Sequence, residues 1–205
     1  MVTSFWLIRH ALVEENARTY HYGAMDVAVC EATMQDQAPM YRALAARLPR
    51  PAAWVVTPLS RTRRTAEAIF AAGYPAQPLA VAPGFSEQHF GAWQGVPHDD
   101  LPPLLTHPPH PFWPVVGHER PPGGETMQDV LQRVGAALDQ LAETQAGQDV
   151  VVVSHGGAIR AALAHALGIA VDHALHISVQ NLSLTRLERH PVGWRVVCVN
   201  ELPGY

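Results

Sequence analysis

Four short stretches carry side chains suited to chemistry on an anion. They are Arg9-His10, Thr57 with Arg61, Glu87 with His89, and Ser154-His155-Gly156-Gly157. An arginine presents a planar fork of donors that matches the oxygens of a dianionic group. A neutral imidazole beside it offers a lone pair for attack, provided its second nitrogen is held by a hydrogen bond that sets the tautomer. A carboxyl group can pass a proton to a departing oxygen and take one from an entering water. Paired glycines let backbone N–H groups approach an oxyanion where a helix begins. Two histidines, two arginines and a glutamate on one edge would suffice for chemistry that is mostly positioning and charge stabilisation.

The elements that must position these residues are legible as apolar runs. Ser4–Ile8, Ala53–Val56, Leu79–Val81 and the valine run Val150–Val153 read as strands covered on both faces. Leu182–Leu187 and Trp194–Val199, separated by a short segment containing "RHPVG", read as a hairpin at one sheet edge. Helical patterns fall between the runs, at Pro39–Leu48, Ser60–Ala72, Thr126–Thr144 and Ala158–Leu167. Ser60 is an expected N-cap, Thr126 with Asp129 an expected capping box, and Gly73 and Gly168 expected stops. Alternation of strand and helix predicts a three-layer α/β/α sandwich with a mainly parallel sheet of about six strands. In such sheets ligands collect where strands end and helices begin, and the four stretches above lie there.

Composition narrows the partners. The 205 residues carry 48% hydrophobic and 16% charged side chains and a formal net charge of −4. No run of lysine or arginine suggests nucleic acid or an anionic membrane surface, so any anion site must be a local cluster within a mildly acidic whole. No apolar stretch is long enough to span a bilayer, and no basic region precedes the first apolar run as in a signal peptide. Cys30 and Cys198 read as two reduced thiols. The expected location is cytoplasmic, and the expected state a monomer or homodimer.

One segment departs from the rest. Residues 97–122 hold nine of the 18 prolines, four histidines and the pair Phe112-Trp113. Proline fixes φ and removes donors, so this reads as a surface insertion, either a lid or an inert flap. The whole chain is otherwise read as one domain, 1–205. His107 with His110, and His173 with His176, have i,i+3 spacing, but no cysteine or acidic cluster completes a metal-ligand set, so no metal is expected.

Five motifs in order resemble the histidine phosphatase superfamily, the phosphoglycerate-mutase-like proteins. "LIRHALVEEN" resembles its R-H-G-x-x-x-x-N signature, and "TPLSRTRRTAEA" its S-P-L-x-R-x-x-x-T-A motif. "SEQHFGAWQG" resembles E-x-x-F-G-x-W-x-G, "PGGET" resembles G-G-E-S, and "VVVSHGGAIR" resembles the second-histidine motif. The resemblance implies that His10 is a nucleophile that becomes phosphohistidine. It implies that Arg9, Arg61 and His155 bind the phosphoryl group, with Asn16 and Gly156 lining its pocket. Glu87 is implied as proton donor to the leaving oxygen and later as base for water, a task Glu125 or His89 could share. Departures are few: Ala11 for glycine, Thr57 for serine, Gln94 for glutamate, and Glu15 where an aromatic is common.

The cofactor-dependent mutases that this chain resembles usually carry a longer segment between the acid and the G-G-E motif, including an R-R-S-[FY]-D-x-P-P-like run, whereas here Glu87 is followed by a shorter proline-rich stretch without it. That favours a phosphomonoester hydrolase that needs no cofactor and acts on a small phosphorylated metabolite, of a type resembling α-ribazole phosphatase. A cofactor-dependent phosphoglycerate mutase and a non-catalytic phospho-ligand-binding module are the alternatives. Phe112 and Trp113 are expected to offer apolar surface to the substrate.

Overall fold

The computed structural model describes residues 1–204. Six strands form one sheet: β1 (Thr3–Arg9), β2 (Ala53–Val56), β3 (Leu79–Val81), β4 (Asp149–Ser154), β5 (Leu184–His190) and β6 (Gly193–Glu201). Their order is β3-β2-β4-β1-β5-β6. The first four in that order are parallel, while β5 runs antiparallel to β1 and β6 to β5. The expected edge hairpin is therefore present, although its strands start and end a few residues away from the apolar runs.

Alternation along the strands builds two cores. Phe5, Leu7, Val150, Val152 and Leu187 face α4 (Met127–Thr144) and α5 (Gly156–Leu167). Trp6, Ile8, Trp54, Val56, Val151 and Val153 face the other way, toward α2 (Ala38–Arg47) and α3 (Ser60–Ala71). The central valines are fully buried, as strands covered on both faces require. This is the α/β/α sandwich. Two short helices, α1 (Glu31–Asp36) and α6 (Val171–Leu175), had no strong periodic signal in the sequence.

Helix ends show where local reading holds and where it fails. Thr126 and Asp129 form the capping box, with Thr126 N–H to Asp129 Oδ2 at 2.8 Å and Asp129 N–H to Thr126 Oγ1 at 3.0 Å. Gly168 ends α5 at φ 64°, a conformation glycine adopts without steric cost. Ser60 is not an N-cap: it is the first helical residue of α3, preceded by Leu59. Its N–H and hydroxyl both donate to Asp26 Oδ1, so the cap comes from 34 residues upstream.

The proline-rich segment is more than a surface loop. Leu101 and Val115 are buried against Phe90 and Trp93 in a small core of their own. Glu119, 3% exposed, accepts from the Thr106 and His107 N–H groups. Gly117 N–H donates to Asp172 of α6 at 2.7 Å. A segment without regular ladders thus satisfies its backbone through two buried or half-buried carboxylates. Its histidines are spent in the same way: His107 pairs with Glu119 at 2.5 Å, and His110 lies edge-on to His176.

Candidate active site

Register brings the two motif histidines together. Arg9 of β1 is paired with Ser154 of β4, so the residues that follow, His10 and His155, leave adjacent strand ends. Their rings lie 5.1 Å apart and nearly edge-on. His10 N–H donates to Ser154 O, and Asn181 Nδ2 donates to His10 O at 2.7 Å, which fixes the backbone of His10 from both sides. Leu182, fully buried, holds φ at 60° beside Asn181, and its N–H donates to Arg9 O. A bulky residue in that region stores strain of order 1–3 kcal/mol, offset here by the bonds that pin the turn against β1.

His10 Nδ1 lies 2.7 Å from Ala11 O. A carbonyl only accepts, so Nδ1 carries the proton and Nε2 keeps its lone pair. Burial, then the Arg61 and Arg9 guanidinium charges, hold His10 well below the ordinary histidine range, against the opposing bond to Ala11. The ring is therefore neutral at neutral pH, as a nucleophile must be.

His155 is fixed by a similar argument. Arg61 Nε donates to its Nδ1 at 3.3 Å, which leaves Nε2–H to donate to Thr57 Oγ1 at 3.0 Å. Burial first, then Arg61 and His10, keep this ring neutral too. Arg61 is fully buried, with Nη1 to Met25 O at 2.6 Å and Nη2 to Gly23 O at 2.7 Å. Each of those nitrogens has a second N–H for an incoming oxygen. Arg9 gives Nη1 to Val179 O, and its buried Nε has no partner among the described residues. An orphaned guanidinium N–H beside a neutral imidazole fits a phosphoryl oxygen.

Glu87 is 8% exposed and completes the site from a loop. Gln88 N–H donates to Oε1 and Gly157 N–H to Oε2, each at 3.0 Å. The Gly157 N–H at the start of α5 is thus engaged by the carboxylate rather than open to an oxyanion. A Cβ on Gly157 would overlap Glu87 Oε1, and one on Gly156 would sit 3.1 Å from Arg160 Nη1 and 3.4 Å from Arg9 Nε. Gly157 is thus needed for close approach, whereas at Gly156 the Arg160 guanidinium would have to give by a few tenths of an ångström.

The two alternatives to Glu87 serve elsewhere. Glu125 pairs with Arg133 at 2.8 and 3.0 Å; burial works against its charge, yet Arg133 and the His89 N–H hold its carboxyl below the usual range. Arg133 in turn donates to the carbonyls of Gly84, Ser86 and Glu87, so this pair pins the loop that presents Glu87. His89 is exposed, and its Nδ1 accepts from Gly91 N–H.

A cavity of about 280 Å³ opens over Arg9 and Glu87, lined also by Arg18, Tyr20, His21, Phe90 and Trp113. Trp113 therefore reaches the site, as expected. Phe112 does not: it is 64% exposed, against His110 and His176. Asn16 is exposed at the start of a 3-10 turn and is not among the cavity's lining residues. Arg160 was not singled out in the sequence. It is 8% exposed, donates to Ile177 O and Gly156 O, and lies 4.9 Å over the Trp113 ring. Its place at the end of the second-histidine motif was the one available signal.

The two neutral histidines have a consequence for stability. In the unfolded chain each titrates near 6.5. Below that pH the unfolded state binds protons that the folded state refuses, so stability falls with pH. Between about pH 6.5 and 5 the pair should lower the unfolding free energy by up to roughly 1.4 kcal/mol per pH unit per ring. Urea unfolding at pH 7.5 and 5.5 would check this. Equal stabilities would contradict it.

The sequence profile of the histidine phosphatase superfamily (branch 1) matches residues 5–202. The chain belongs to that superfamily. It is 30% identical over 174 residues to the glucosyl-3-phosphoglycerate phosphatase of Mycolicibacterium vanbaalenii, covering 82% of this chain and 75% of that protein. It is 31% identical over 141 residues to a probable phosphoglycerate mutase of Yersinia pestis, covering 66% of this chain and 62% of that protein. Other curated mycobacterial relatives are longer, and the chain matches 36% of their length. The fold is similar to that of the α-ribazole phosphatase of Shigella flexneri, with a TM-score of 0.78 at 21% identity over 97% of this chain and 96% of that one. Its named relatives thus include a phosphatase and a probable mutase of small phosphorylated compounds. Among the described residues, no helix is long and apolar enough to cross a membrane.

Proposed function

We propose that this chain hydrolyses a small phosphomonoester through a phosphohistidine formed on His10. The observation that carries the reading is the Nδ1 bond from His10 to Ala11 O, within reach of the Arg61 and Arg9 charges. His10 Nε2 attacks phosphorus while the ester P–O bond breaks. Arg9 and Arg61 take up the charge on the equatorial oxygens, the largest contribution the protein makes in such a step, and His155 joins them when its Nε2–H turns from Thr57 Oγ1 to the phosphoryl group. Glu87 is the group that gives a proton to the leaving oxygen. A water then attacks the phosphohistidine, Glu87 takes its proton, the P–N bond breaks, and the lone pair returns to Nε2. A small phosphorylated metabolite is the partner, and no metal ion takes part in any step.

The test is hydrolysis of p-nitrophenyl phosphate in excess EDTA by the native protein and by His10→Ala. The expected result is activity that survives EDTA and is lost in the variant. Activity abolished by EDTA, or retained in His10→Ala, would contradict the mechanism.

A further inference from the structure

Past the phosphoryl-binding groups the cavity changes character. Tyr20, Tyr22, Phe90, Trp113 and Pro114 give it a mostly apolar wall. Two of these rings are backed by guanidinium groups, Tyr22 by Arg61 at 5.3 Å and Trp113 by Arg160 at 4.9 Å. Trp113 Nε1 also donates to Gln88 Oε1 at 3.3 Å. These are held rings, which cost little to order around a ligand.

The histidine pair of that wall, His21 and His98, is joined by a hydrogen bond. Arg18 O can only accept, so His98 Nε2 donates to it at 2.9 Å. With Nε2 as the donor, His98 Nδ1 is left to accept from His21 Nε2 at 3.2 Å. His21, 7% exposed, keeps a lone pair on Nδ1, and burial followed by His98 pushes its pKa down to about 4. The Arg18 side chain is exposed, where water and salt screen it. A second carboxylate or phosphate on the substrate would lose hydration there, and the buried guanidinium groups of Arg61 and Arg160 lie behind the rings and are not among the groups lining the cavity. A flat apolar ring would meet surfaces of its own kind.

Resting on the phosphatase reading above, we infer that the alcohol released from the substrate carries an uncharged flat ring, seated against Tyr20, Phe90 and Trp113, and no second anionic group. This separates the chain's substrate from short, multiply anionic phosphoesters.

Binding of non-hydrolysable phosphonates tests this without requiring turnover. Isothermal titration would compare phenylpropylphosphonate, propylphosphonate and phosphonobutanoate on the native protein. The phenyl compound is expected to bind about tenfold tighter than the propyl one, from burial of part of a ring, and the carboxylated one no tighter than propyl. Trp113→Ala should remove most of that preference, and Phe112→Ala, outside the cavity, should keep it. Equal affinities, no binding of any of the three, preference for the carboxylated ligand, or a preference that survives in Trp113→Ala would overturn the inference. Hydrolysis that depends on His10 without a ring preference would sink this inference alone. A ring preference with hydrolysis independent of His10 would sink only the phosphatase reading.

Discussion

Replacing Arg61 by alanine is expected to lower kcat on the order of 10³-fold, by analogy with arginines that neutralise other phosphoryl transfers. Arg61 has no exposed surface, so its charge acts in a medium of low dielectric constant, where one guanidinium counts for most. It also sets the tautomer of His155 and ties down the Gly23 and Met25 carbonyls. The variant leaves a cavity and two unpaired carbonyls, so some loss of stability accompanies the loss of rate. Arg61→Lys separates the two effects, because it keeps the charge and loses the fork. It should stay folded and still lose most of the activity. The check is kcat alongside thermal unfolding for both variants. A loss under about tenfold in a folded Arg61→Ala would remove Arg61 from the phosphoryl site.

Glu87→Gln has the second large effect, and its form is as telling as its size. The amide keeps an acceptor for one of the Gln88 and Gly157 N–H groups but can neither give nor take a proton. General acid–base contributions of this kind are typically about 10²–10⁴-fold. With an alkyl phosphate, whose leaving oxygen needs a proton, the first step should slow by that factor. With p-nitrophenyl phosphate, whose leaving group departs unassisted, the first step should proceed and the hydrolytic step should stall. The expected trace is a burst of nitrophenolate near one equivalent of enzyme, then slow turnover. Equal slowing of both substrates with no burst would place the acid elsewhere.

Much of this site could be read in the sequence, and the reason is local. Val150–Val153 and Ser4–Ile8 are short enough to be strands and apolar enough to be central. The residues just past them, His155 and His10, are therefore expected side by side at the carboxyl ends of central strands. The capping box at Thr126 and Asp129 is likewise a three-residue rule and held. What failed or was missed depends on partners distant in sequence. Ser60 is served by Asp26 rather than serving itself. Asn181 holds His10 across a separation of 171 residues. The His21–His98 pair exists only because the proline-rich segment folds back on the cavity, and that segment has no period to read. Phe112 and Trp113 are neighbours in sequence, yet one faces solvent and the other the site, a split that turn geometry decides.

The most direct test of the phosphohistidine is to stop the Glu87→Gln reaction with p-nitrophenyl phosphate by denaturation and locate the phosphoryl group by peptide mass spectrometry. The account predicts one phosphoryl group on His10, stable in alkali and lost in acid, and none in the Glu87→Gln, His10→Ala double variant. A phosphoryl group on another residue, or a burst with no covalent phosphoenzyme, would contradict it.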